Sequence, residues 1–119
     1  MTKKGWENKI KKATISVGTY KSDFDAVIST LASILEKRDK TEEIFASSGG
    51  ETVIEYTNKF GATNIVKNPI LVVLMDLNSQ ALSYWRDLGL TPAGLKKINE
   101  SAMKKQKKSA LAEALSSLE

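Results

Sequence analysis

Five residues, Leu88-Gly89-Leu90-Thr91-Pro92, constrain this chain more than any other stretch. Glycine is the residue type expected just past a helix end, because the left-handed backbone that closes a helix costs it no side-chain clash. Thr91 is a fitting N-cap, and Pro92 suits a first helical position, where its missing N–H leaves no hydrogen bond unmade. A stop and a start this close predict a tight corner between two helices. Leu90 and Leu95 stand where a hydrophobic staple would clamp the second one. The first has an equally clear beginning, with Asn68 as cap and Pro69 behind it. Leu71, Leu74, Met75, Asn78, Leu82, Trp85 and Leu88 then follow as one stripe.

The rest of the chain reads as helices around one hairpin. Residues 3–13 predict a short basic helix with Trp6 and Ile10 on one face, and Thr14 to Tyr20 reads as a linker. A frayed terminus is the competing reading of this arm. Ser22 is placed as the N-cap of a long helix, with Asp23 and Asp25 in its first turn, where the dipole favours negative charge. Phe24, Val27, Ile28, Leu31, Ile34 and Leu35 keep helical spacing. Glu36 to Glu43 is almost wholly charged and holds the pairs Glu36–Lys40 and Arg38–Glu42. Ser47-Ser48-Gly49-Gly50 ends the helix. Within residues 51–66, Thr52 to Thr57 is β-branched and aromatic, Asn58 to Gly61 supplies turn chemistry and Ala62 to Val66 returns, so a β-hairpin is expected. A lone hairpin is marginal in water, so it is expected to pack on helices or on a neighbouring subunit. From Lys96 onward the chain is Lys-rich and helix-favouring through Ile98, Met103, Leu111, Leu115 and Leu118, with a bend near Ser101 considered.

The expected fold is therefore mainly α, a helical domain with one β-hairpin. Its parts are a basic N-terminal arm over 1–19, a helical core over 20–100 with the hairpin near 51–66, and a Lys-rich C-terminal helix or tail over 101–119. The expected core holds Phe24, Val27, Ile28, Leu31, Ile34, Leu35, Leu71, Leu74, Met75, Leu82, Trp85 and Leu88. Trp85 lies on the apolar stripe and reads as core. Trp6, among lysines, reads first as an anchor for the arm and second as a stacking residue.

Composition removes whole classes of chemistry. The 119 residues include no cysteine and no histidine. That excludes disulfides, Cys/His zinc sites and nucleophile systems that need a histidine base. Asp76 and Asp87 return to one helix face but stand about 16 Å apart at 1.5 Å rise per residue, too far for a two-metal site. Ser48-Gly49-Gly50 follows a helix and precedes a strand, the wrong order for a phosphate-binding loop. Neither a catalytic residue, a metal nor a cofactor is expected. Ile70 to Met75 is too short to span a bilayer, and no apolar segment follows Lys3 and Lys4, so a soluble cytosolic protein without a membrane partner is expected.

The formal net charge is +4, and the lysines crowd the two ends. The candidate DNA contacts are Lys3, Lys4, Lys9, Lys11 and Lys12 in front and Lys96, Lys97, Lys104, Lys105, Lys107 and Lys108 behind. Lysine neutralises phosphate without reading sequence. Arginine occurs only at positions 38 and 86, so bidentate guanine readers are few. Shape and multivalency are then expected to outweigh base hydrogen bonds.

The stretch from Lys67 to Ile98, KNPILVVLMDLNSQALSYWRDLGLTPAGLKKI, resembles the small terminase subunits of tailed bacteriophages. The matching residues are Asn68 and Pro69 at a helix start and Leu88, Gly89, Leu90, Thr91 and Pro92 at the corner. An upstream helix from near Tyr20 and a hairpin-like linker extend the likeness to roughly 20–98. The family commonly has small polar residues and then arginine after the proline; here Ala93, Gly94 and Leu95 follow, then Lys96 and Lys97, so no arginine role carries over. The resemblance implies a ring-like homo-oligomer that recognises double-stranded viral DNA in the host cytoplasm. It also implies delivery of that DNA to a large subunit holding the ATPase and nuclease. Two other readings share these residues: a helix-turn-helix transcription regulator, for which Trp85 to Lys97 supplies the turn and recognition helix, and a phage structural or adaptor protein without a DNA role.

Overall fold

The computed structural model describes residues 1–117; Leu118, part of the expected C-terminal stripe, and Glu119 lie outside the described residues. Its elements are α1 (Lys3–Val17), a single 3₁₀ turn (Ser22–Phe24), α2 (Asp25–Ser47), β1 (Val53–Thr57), β2 (Thr63–Lys67), α3 (Pro69–Asp87) and α4 (Pro92–Ser117). The architecture is mainly helical with one antiparallel hairpin, as the sequence led one to expect.

The core forms where α1 and α3 pack on α2. Ile28, Leu31, Ala32 and Leu35 recur along one face of α2 and are buried. Trp6, Ile10 and Thr14 meet them from α1, and Ala81 and Leu88 from α3. Lys3 and Trp6 bond residues 36 and 39 while Lys11 and Tyr20 lie by Asp25, so α1 runs antiparallel to α2. Thr14 tolerates full burial because its hydroxyl donates to the Lys11 carbonyl at 2.8 Å. Tyr20, Val27, Ile34, Tyr84, Trp85 and Leu90 seal the edges, half-buried.

Four expected core residues lie elsewhere: Phe24, Met75 and Leu82 are 37%, 63% and 49% exposed, and half-buried Leu71 lines a groove beside the hairpin. Phe24 falls in the 3₁₀ turn before α2 begins. Met75 and Leu82 lie to one side of the α3 face that meets α2, which is centred on Leu74, Ala81 and Leu88. Small Ala81 and Ala32 went unremarked because apolar spacing is easiest to see in large side chains, yet at a helix crossing a small residue allows close approach.

Several local expectations are corrected. Helix α1 continues through the expected linker to Val17 and closes at Gly18. Ser22 is no N-cap: it opens the 3₁₀ turn, and α2 starts at Asp25 with no side-chain cap. Arg38 pairs with Asp39 at 3.0 Å instead of Glu42, while Glu36–Lys40 forms at 4.0 Å. Helix α4 runs unbroken through Ser101.

The hairpin pairs Val53 with Lys67 through Thr57 with Thr63. Asn58 closes its turn, its side-chain oxygen accepting from the N–H groups of Phe60 and Ala62 at 2.9 and 3.0 Å. Only Ile54 and Val66, directly paired, are partly covered within the two strands. Phe60 and Ile65 are 83% and 74% exposed. Asn68 joins hairpin to helix: its Oδ1 caps Ile70 at 3.0 Å and its Nδ2 donates to the Glu51 carbonyl at 2.8 Å.

Helix α4 leaves the body. Every residue from Glu100 to Ser116 is exposed, and the protein extends 84 × 29 × 20 Å with a radius of gyration of 22.1 Å. A compact domain of this length has a radius near 13–14 Å. An isolated helical stretch of this length is marginal in water.

Candidate nucleic-acid interface

The expected anchor role of Trp6 decides where the N-terminal lysines stand. Its ring is buried between α1 and α2, and its Nε1–H donates to Asp39 Oδ2 at 2.7 Å. Arg38 and Lys9 stack over the ring, 5.4 and 5.2 Å from its centroid. The N-terminal ammonium also reaches Asp39, at 3.4 Å. Burial pushes the Asp39 carboxyl up, but hydrogen bonds from Trp6, Arg38 and the N-terminus together outweigh that and hold it below its ordinary value of 3.8. A depressed carboxyl pKa adds stability that is complete above the unfolded-state value and is lost as pH falls through the folded one. Acidification below about pH 4 is therefore expected to loosen α1, read as a shift of the Trp6 indole N–H resonance. Asp39→Asn should remove that pH step.

Lys9 and Lys11 thus have aromatic partners already. Lys11 Nζ lies 5.1 Å from the Tyr20 centroid; its hydrogen bond with Tyr20, with smaller contributions from the charges of Tyr20 and Asp25, raises its pKa and keeps it cationic. The Tyr20 hydroxyl donates to Asp25 at 2.9 Å. Lys3, Lys4 and Lys12 are exposed on α1.

The second lysine group starts at the corner, which has the expected build. Gly89 is left-handed at φ 73°. Its N–H and that of Leu90 donate to the carbonyls of Arg86 and Trp85 at 3.0 and 2.8 Å. Thr91 Oγ1 accepts from Gly94 N–H at 3.0 Å. Gly94 was unremarkable as sequence, yet it sits against the Arg86 carbonyl so closely that a Cβ there would collide with backbone. Thr19 ties the corner to the start of α2, donating to the Leu88 carbonyl at 2.7 Å.

Around this corner the chain encloses a groove of about 660 Å³. Lys97 and Lys105 line it from α4, Arg86 and Asp87 from the end of α3, and Lys21 from the segment before α2. Lys104 and Lys107 lie on another face, beside Glu100 and Met103. The structure therefore brings together Lys97 and Lys105, separates them from Lys104 and Lys107, and makes no extensive contact between α1 and α4. Lys96 and Lys108 are exposed on α4 outside the groove. Among the described residues no three Asp or Glu side chains converge to hold a metal, and no helix is long and apolar enough to cross a membrane.

A family model described as phage terminase, small subunit, matches residues 2–105, from the start of α1 into the exposed part of α4. The chain belongs to the phage terminase small-subunit family. No curated protein and no solved structure matches it. Membership places this terminase small subunit in phage DNA packaging, in a family that is generally non-catalytic. The match takes in every candidate lysine except Lys107 and Lys108. It also takes in the corner, where Leu95 is half-buried toward Gly89 and Ile98 is close by. In this terminase small subunit that position is thus a packing residue, while the neighbouring Lys97 faces the groove. Lys21 and Arg86 were not among the sequence-derived candidates. They are far apart in the chain, and the Thr19–Leu88 hydrogen bond, with Tyr20 packed on the core that holds Leu88, brings their segments together.

Proposed function

We propose that this terminase small subunit binds double-stranded viral DNA and regulates the large ATPase and nuclease subunit, acting in the host cytoplasm as a ring-like homo-oligomer. The observation that carries this reading is α4. It projects from the body with Lys104, Lys105, Lys107 and Lys108 exposed and, among the described residues, in no ion pair with a carboxylate. Such cations gain by replacing the condensed counterions of DNA. Residues 1–19, whose helix α1 packs into the core with the helices of 20–100, and residues 101–119 then supply the cationic ends, with Lys3, Lys4, Lys12, Lys96 and Lys97 adding to the surface.

Self-assembly is supported by what the protomer leaves uncovered. The hairpin base and α3 form an apolar groove lined by Val53, Leu71, Val72 and Met75. Two strands alone and a free helix are both marginal, so packing between copies stabilises them. Many copies of a weak cationic surface then act through effective concentration. Solution mass and duplex binding test the reading. The expected mass is several multiples of 13.1 kDa, with affinity falling steeply as salt rises from 50 to 200 mM, about the range over which phosphate contacts are screened. A monomer that ignores duplex in dilute buffer would sink it.

A further inference from the structure

We propose that the groove beneath the α3–α4 corner is a binding site for the sugar–phosphate backbone of duplex DNA, with Lys21, Arg86, Lys97 and Lys105 on the phosphates. The proposal rests on the DNA-binding reading above and gives it a place that the lysine clusters alone do not. The groove gathers four cations against one carboxylate, Asp87. None of the four is in an ion pair among the described residues. Four like charges beside a single counter-charge repel on balance, and a polyanion relieves that repulsion.

Lys97 and Lys105 are two turns apart on α4, about 12 Å at 1.5 Å per residue, which spans three to four nucleotides of one strand at roughly 3.4 Å each. Arg86 stands on the opposite wall, at the point where Gly94 lets α4 abut α3. Lys21 is fixed two residues beyond Thr19 and its bond to the Leu88 carbonyl. Arg38, the other arginine, is committed to Asp39, so Arg86 is the guanidinium left to grip a phosphate with two parallel N–H donors.

The floor identifies the ligand class. Gly94, Ile98 and Ala102 give it an apolar base, which suits deoxyribose better than a free inorganic anion. No aromatic side chain lines it, so nothing stacks a base. Contacts of this kind position DNA without reading its sequence.

The test is duplex binding by the full chain, measured by fluorescence anisotropy from 50 to 200 mM salt. Lys21→Ala with Arg86→Ala should raise Kd roughly tenfold. It should also flatten the log–log salt slope by about 1.8 per engaged subunit, two phosphate contacts at about 0.9 each. Lys104→Ala with Lys107→Ala, on the other face of α4, is the comparison. If that pair weakens binding and the groove pair does not, the groove is overturned and the DNA-binding reading stands. If the unaltered protein ignores duplex, both fall. Unchanged DNA affinity with lost stimulation of the large subunit would assign the groove to an acidic protein surface and overturn the proposal. Asp87→Asn guards against a folding defect in the double variant: removing the lone carboxylate should tighten binding two- to threefold, roughly one charge's share, and no gain counts against the site.

Discussion

Trp6→Ala is expected to lower the free energy of unfolding by about 3–5 kcal/mol, a large part of the roughly 5–15 kcal/mol available to a domain. The substitution empties the space between α1 and α2, where the indole packs in the same core as Ile10, Leu31 and Leu35. It also removes the Nε1–H donor to Asp39 and the ring beneath Arg38 and Lys9. Asp39 keeps its bonds to Arg38 and the N-terminus but loses the bond that joins it to the indole. Trp6→Phe separates the two contributions. It keeps most of the buried ring and loses only the donor, so a cost of about 1–2 kcal/mol is expected. Urea denaturation followed by far-UV circular dichroism measures both. A cost under about 1 kcal/mol for Trp6→Ala would mean that α1 does not dock on α2, and Lys3, Lys4 and Lys12 would lose their fixed place.

Gly94→Ala has an expected effect whose sign alone is informative. In an ordinary helix interior alanine is more stable than glycine by about 0.5–1 kcal/mol. Gly94 lies in the first turn of α4 and is buried, and a Cβ there would strike the Arg86 carbonyl oxygen and crowd Thr91 Oγ1. The obstacle is backbone at the end of α3, so the corner has to open. A loss of about 2–3 kcal/mol is expected instead of a gain. Opening the corner moves Arg86 away from Lys97, so duplex affinity should fall with stability. Ala93→Gly, at the exposed neighbouring position, should cost only about 0.5–1 kcal/mol through helix propensity and leave DNA binding intact. A stabilised Gly94→Ala variant would contradict the close approach of α3 and α4.

The elements that were legible in advance are those governed by short-range chemistry. Asn68-Pro69 and Leu88 to Pro92 mark helix ends through caps and fixed dihedrals that act within four residues, and each forms as written. The hairpin follows from a β-branched run, a turn and a second run. Ser22 misled because a capping residue was read without the 3₁₀ turn that precedes α2. Met75 and Leu82 misled for another reason. A stripe of large apolar residues on α3 is wider than the face α2 covers, and periodicity does not say which edge of a stripe stays open.

The site divides in the same way. The lysine-rich ends were visible as composition, but their grouping was not. Lys97 and Lys105 share a groove with Lys21 and Arg86, while Lys104 and Lys107 turn to another face. By itself the sequence determined the helix punctuation, the hairpin, the excess of cations and the lack of histidine and cysteine, because each is a property of residues near one another or of the chain as a whole. The tertiary structure alone decided that Trp6 fastens α1, that Gly94 permits the corner, and that Lys21 meets Arg86. Those outcomes depend on packing and hydrogen bonds between segments dozens of residues apart, and the local preferences of neither segment encode where the other will lie.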